Sequence, residues 1–140
     1  MVLARRDFVK AHLWGGALDA AGCAGHAGCM IYKLFRTPEW QALHADGTTR
    51  GAPVDLADGY IHFSTAAQVA ETAARHFRGV EGVWLIAVDE ATVSDNLKWE
   101  PSRGGDLFPH LHAPLRGDQV AWAQPLPMVD GVHMFPAGLE

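Results

Sequence analysis

Six apolar residues in a row, Val83-Trp84-Leu85-Ile86-Ala87-Val88, constrain this chain more than any other feature. The run has the length of a strand and leaves no polar face, so it reads as a strand buried on both sides. A chain of 140 residues can bury it: one domain of this size removes about 68% of its unfolded surface from water. With 49% apolar residues the chain is too hydrophobic for general disorder. No uncharged apolar run approaches the ~20 residues that span a bilayer. A net charge of −5 and an isoelectric point near 5.8 disfavour nucleic acid and anionic membranes as partners of the whole chain, although a local basic patch stays open.

Around that strand the pattern is α+β with short elements. Residues 30–35 read as a first strand. Thr37-Pro38-Glu39-Trp40 starts a helix, with Thr as cap and Pro at the first helical position, and the helix ends near Gly47. Residues 48–58 read as a polar loop, and Tyr60 to Phe63 as a short strand entered through Asp58-Gly59. Ser64 and Thr65 then precede a helix over 66–78. Thr65 and Gln68 form a capping box, Val69, Ala73 and Phe77 share a face, and Gly79 stops the helix. Residues 92–99 combine a helical turn with a strand at Leu97-Lys98-Trp99, whereas 100–114 shows no period. Val120 to Gln124 is another strand, and a last short one lies over 132–135.

Residues 1–29 are different, rich in Ala and Gly and without a sustained period. One reading is a start codon placed too early, with Met30 the true initiator, or a disordered extension. A second is an export signal, because Arg5-Arg6-Asp7-Phe8-Val9-Lys10 resembles the twin-arginine pattern, although His12, Asp19 and His26 interrupt its apolar core. A third is a docked helix from Arg5 to Leu18. Cys23 and Cys29 flank His26 at a spacing that is not a zinc signature. No cysteine follows Met30, which excludes a disulfide framework there and fits a reducing, cytoplasmic compartment.

Chemistry concentrates in two places. In a strand, Tyr60, His62 and Ser64 share one face beside the N-terminus of the following helix, where unpaired amides and the dipole favour an anion. The same dipole keeps His62 neutral, able to donate to a phosphate or a ribose hydroxyl. The plainer alternative is a half-buried His bonded to a backbone carbonyl, with Ser64 and Thr65 merely capping. The second place is the aperiodic segment. Arg103-Gly104-Gly105 offers a guanidinium and open amides to a phosphate. Glu100 follows Trp99, an apolar wall that raises a carboxylate's pKa, or else it is an exposed salt-bridge partner. Trp99 and Phe108 flank the segment as stacking walls for a base or nicotinamide ring. His110 and His112 share a face of an extended segment, and with His62 they make a three-histidine metal set. A Gly-x-Ser-x-Gly elbow, a Walker loop and a Gly-x-Gly-x-x-Gly turn are all missing.

Several motifs in order resemble one known family. They are Met30-Ile31-Tyr32-Lys33, Leu56-Ala57-Asp58-Gly59-Tyr60-Ile61-His62-Phe63-Ser64-Thr65, the helix from Gln68 to Phe77, Leu97-Lys98-Trp99-Glu100-Pro101, and Leu107-Phe108-Pro109-His110-Leu111 with Pro114-Leu115. Together they are similar to the bacterial family called domain of unknown function 952, from Met30 to about Leu126. The resemblance makes 30–126 the family domain, 1–29 an extension and 127–140 a tail. His112 departs from it, standing where members usually show Tyr. The family's fold is similar to the ADP-ribosyltransferase fold, which implies a small α+β domain with two main helices and a split mixed β-structure around a nicotinamide-dinucleotide cleft. By that analogy Tyr32 and Lys33 lie on the first strand of the cleft, with Tyr60, Ser64, Thr65, Trp99, Arg103, Phe108 and His110 binding ligand. His62 and Glu100 are then the catalytic pair, Glu100 stabilising an oxocarbenium-like transition state.

Three functions therefore stand side by side. One is a protein that binds a nucleotide-like or phosphorylated ligand such as NAD or ADP-ribose, with or without glycosyl, ADP-ribosyl or 2′-phosphate transfer. Another is a non-catalytic binding module on the same scaffold. The third is a metal-dependent enzyme using His62, His110 and His112.

Overall fold

The computed structural model describes residues 29–139, so the readings of the start codon, the export signal, the docked helix and the Cys23–His26 pair lie outside the described residues. Strand β4 (Val83–Asp89) is the buried run expected above, extended by one residue. It is the middle of a three-stranded sheet, between β1 (Met30–Arg36) and β8 (Val120–Pro125). Met30 lies opposite Asp89 and Arg36 opposite Val83, while Leu85 lies opposite Gln124.

The strand's period of two divides its side chains between two cores. Trp84, Ile86 and Val88 join Ile31, Phe35, Leu43 and Phe63 on one face, and Val83, Leu85 and Ala87 join Tyr32, Leu34, Val69, Ala73 and Trp122 on the other. Helix α1 (Thr37–Asp46) covers the first face through Leu43, and Trp40 stacks on Trp84 with centroids 5.5 Å apart. After a short α2 (Pro53–Asp58), helix α3 (Ala66–His76) covers the second face through Val69 and Ala73. Its start is as expected, with Gln68 Oε1 accepting from the Thr65 backbone N–H at 3.0 Å.

A second three-stranded sheet has the order β3 (Ile61–His62), β6 (Leu107–Leu111), β5 (Leu97–Pro101). The chain between Ile61 and Ser64 ties the two sheets together. Ile61 and His62 pair with Leu111 and His110, the Phe63 N–H donates to Pro109 O, and Tyr32 and Ser64 exchange two backbone bonds of 2.8 Å each. Among the described residues β1 and this segment meet only at that bridge and then diverge. Two further ladders, β2 (Thr48–Thr49) with β7 (Leu115–Arg116) and β9 (Met128–Val129) with β10 (Val132–His133), lie outside these sheets. No helix among the described residues is long and apolar enough to cross a membrane.

The fold is α+β, but three local readings need correction. The sheets are not mixed: among the described residues each strand runs antiparallel to its neighbour, because the chain enters each neighbour from the end at which it left the first. The polar stretch 48–58 is not simply a loop, since it holds β2 and α2. Segment 100–114 is not aperiodic either. It is the tip and second strand of a hairpin, with Trp99 opposite Pro109 and Glu100 opposite Phe108, turned by Gly104 and Gly105 at φ +69° and +86°. Prolines and glycines hide strand alternation there. Because Leu85 is fully buried beneath α3, Leu85→Ala is expected to cost about 2–5 kcal/mol in chemical denaturation with the circular dichroism spectrum kept.

Candidate functional site

Helix α2 exists because Pro53 suits a first helical position and Asp55 two residues later reaches back to the Ala52 N–H, 2.7 Å from Oδ2. That carboxylate is buried and does more than cap. Its Oδ2 is 2.6 Å from Lys33 Nζ, and its Oδ1 lies 2.6 Å from His62 Nδ1 and 3.0 Å from the His62 backbone N–H. Burial is the largest influence on Asp55 and pushes its carboxyl up, but the His62 hydrogen bond and the charge of Lys33 outweigh it and hold it below 3.8. Burial draws Lys33 down from the ordinary lysine value against the opposing pull of Asp55. Gly51 makes room for this contact: its φ is +104°, and a Cβ there would collide with Asp55 Oδ2.

The second ring nitrogen of His62 lies 3.0 Å from Asp58 Oδ2. Carboxylates only accept hydrogen bonds, so this geometry suits a ring that donates from both nitrogens. Two carboxylates that the sequence reading did not place there are thus the nearest charged groups to the His62 ring.

Across the strand pair, His110 is buried. Its Nδ1 is 2.7 Å from Glu100 Oε1, and His112 Nε2 is 3.1 Å from the same oxygen. Hydrogen bonds from these two imidazoles hold the Glu100 carboxyl below its ordinary value, the reverse of the raised carboxylate expected beside Trp99. Burial lowers His110, with the Glu100 bond opposing and the nearby His62 charge adding to the fall. Tyr60 lies over all three imidazoles, with centroids 4.8 Å from His62, 4.4 Å from His110 and 4.9 Å from His112. Burial, then the charges of Asp58 and Glu100, push its phenol up.

Where β1 and the β3 segment diverge, a cleft of about 490 Å³ opens between β1, α2, α3 and the β5–β6 hairpin. Tyr32, Lys33, His62, Ser64, Phe108 and His110 line it. Thr72, Arg36 and His76 also line it and escaped the sequence reading. Among the described residues on its wall there is no carboxylate, and every ionisable side chain apart from Tyr32 is basic. Tyr60 instead faces a smaller cavity of about 310 Å³ with Arg50 and His112. Thr65 caps α3, and Trp99 gives its indole N–H to Glu90 at 3.2 Å and packs on the core, so neither is on the cleft wall. Glu100 lies behind His110 and not on the wall. Arg103 is in the hairpin turn, and its side chain is outside those described. No three His, Cys, Asp or Glu groups among the described residues are arranged to hold a metal. Both nitrogens of His62 meet Asp55 and Asp58, and one nitrogen each of His110 and His112 meets Glu100, so the three-histidine metal reading is corrected for the described residues.

A family model described as "Protein of unknown function (DUF952)" matches residues 34–123. The chain belongs to this family. The DUF952 match encloses Asp55, Asp58, His62, Glu100 and His110. Protein CC0527 from Caulobacter crescentus is similar at 45% identity in its crystal structure, with a TM-score of 0.72 over 75% of this chain and 93% of that one. Its solution structure is similar at 46% identity, with a TM-score of 0.67 over 74% and 90%. No curated protein matches.

Asp55 and Asp58, behind the wall, also escaped the sequence reading. The signal was present in Pro53 followed by Asp55, a helix start inside an apparent loop. Asp55→Asn in this DUF952 protein leaves the buried Lys33 without its counter-charge, and a loss of about 3–5 kcal/mol is expected in urea denaturation. Acid should also destabilise the fold in two steps. His110 titrates below 6.5 when folded, so the unfolded chain binds more protons as pH falls from 6.5 through that lower value, and stability drops there. The contribution of Asp55 is complete above 3.8 and is lost as pH falls through its lower folded value. Denaturation midpoints measured from pH 7 to pH 3 should show both losses, with the first absent in His110→Phe.

Proposed function

We propose that the protein binds a nucleotide-like or phosphorylated ligand, of the NAD or ADP-ribose type, in the cleft between β1, α3 and the hairpin. The observation that carries this is the wall: a protein of net charge −5 surrounds a cavity of about 490 Å³ with Lys33, Arg36, His62 and His76 and, among the described residues, places no carboxylate on it. The volume lies within the usual range for small-molecule sites. Leu34, Val54, Phe77 and Phe108 add an apolar wall for a ring, and Ser64 with Thr72, whose hydroxyl oxygens are 3.0 Å apart, adds hydroxyl groups. Two sheets splitting at the Tyr32–Ser64 bridge support the likeness to an ADP-ribosyltransferase cleft.

One observation favours a binding module over a transferase. Glu100, the carboxylate assigned to the oxocarbenium-like transition state, points at His110 and His112 and is off the cleft wall. In a binding module NAD is held without turnover, and Glu100→Gln leaves affinity nearly unchanged.

The test is a thermal-shift titration with ADP-ribose, AMP and adenosine. Ligand at 100 times its Kd adds about 2.7 kcal/mol, a rise of several degrees for a domain of this size. ADP-ribose and AMP are expected to raise Tm and adenosine to leave it unmoved, with the AMP shift much smaller in a folded His62→Ala variant. Equal shifts from AMP and adenosine, or none from either phosphate, would contradict the anion site.

A further inference from the structure

Among the described residues on the cleft wall, His110 alone has a buried side-chain polar atom without a hydrogen-bond partner. Its ring is buried, Nδ1 meets Glu100 Oε1 at 2.7 Å, and Nε2 is buried with no hydrogen-bond partner among the described residues. A carboxylate cannot donate, so the proton between them belongs to Nδ1. Protonating Nε2 as well would leave a buried, charged N–H without an acceptor, a costly state. The ring is therefore neutral, with a lone pair on Nε2. His110 is part of the cleft wall, and Glu100, which holds its Nδ1, is not. The groups packed around the ring are His62, edge-on at 5.2 Å, Tyr60, stacked at 4.4 Å, and His112 on the shared Glu100 oxygen; Lys98 is its partner in register on β5. None of these is bonded to Nε2.

We propose that the His110 Nε2, fixed as an acceptor by Glu100, receives a hydrogen bond from a hydroxyl of the bound ligand, so that the cleft selects hydroxyl-bearing phosphate esters over phosphate esters without a donor. This rests on the reading of the cleft as an anion site. The hydroxyl enters beside the His62 ring, which is 29% exposed. Glu100 is a positioning residue that sets the tautomer and does not touch the ligand.

Two phosphate monoesters at pH 8 separate the possibilities: ribose 5-phosphate, which carries hydroxyls, and n-propyl phosphate, which as a dianion has no donor. Wild-type protein is expected to bind ribose 5-phosphate about tenfold more tightly. In His110→Phe that ratio should fall to near one. Nitrogen NMR of the ¹⁵N-histidine-labelled wild type keeps the test independent of how the variant folds. Nε2 of His110 should be the unprotonated nitrogen at pH 7 and should shift on adding ribose 5-phosphate but not n-propyl phosphate. Glu100→Leu should scramble the tautomer and reduce the ratio, and Glu100→Gln, which retains an acceptor, should preserve much of it. Binding of both esters with an equal ratio in wild type, or a protonated Nε2, would overturn the proposal. Failure of either ester to bind at all would instead remove the anion site, and this inference with it.

Discussion

A carboxylate with no access to water organises this molecule. Taking Asp55 out of solvent is expensive, and the cost is offset only because Lys33, the His62 ring and two backbone N–H groups converge on its two oxygens. Those partners come from β1, from the junction strand β3 and from the first turn of α2 itself. The same interaction therefore fixes a short helix that local propensity alone would not stabilise, and it sets the distance between the two sheets where they part.

The cleft is a consequence of that separation. Tyr32 and Ser64 close the sheets at one point, and beyond it Asp55 holds Lys33 and His62 at the mouth of the gap. A second carboxylate, Glu100, holds His110 from the opposite side. Both of these acids stand behind the wall, and the three side chains they hold stand on it. The histidines differ accordingly. His62 lies between two carboxylates, while His110 has one carboxylate and one open nitrogen.

Much of the scaffold was legible in the sequence because its signals are local. The apolar run at 83–88, the Thr65–Gln68 cap and the alternation of Ile61 and Phe63 against His62 and Ser64 each specify an element without reference to the rest of the chain. The hairpin of β5 and β6 was not legible, because Pro101, Pro109 and two turn glycines interrupt its pattern and its pairing is set by cross-strand contacts. The site was legible by residue but not by role. His62, His110 and Glu100 stand close together, yet what each does follows from which carboxylate it meets, and Asp55 reaches Lys33 across 22 positions of sequence. No periodicity encodes a contact of that kind.

The central claim is that Asp55 and Lys33 form one energetic unit beneath the cleft. A double-mutant cycle in urea with Lys33→Met, Asp55→Leu and the pair together tests it most directly. The account expects each single variant to be strongly destabilised and the double variant to lose less than the sum by ~2 kcal/mol or more, because no buried charge is then left unpaired. Losses that add to within ~0.5 kcal/mol would contradict it, and Lys33 and Asp55 would be neighbours without being partners.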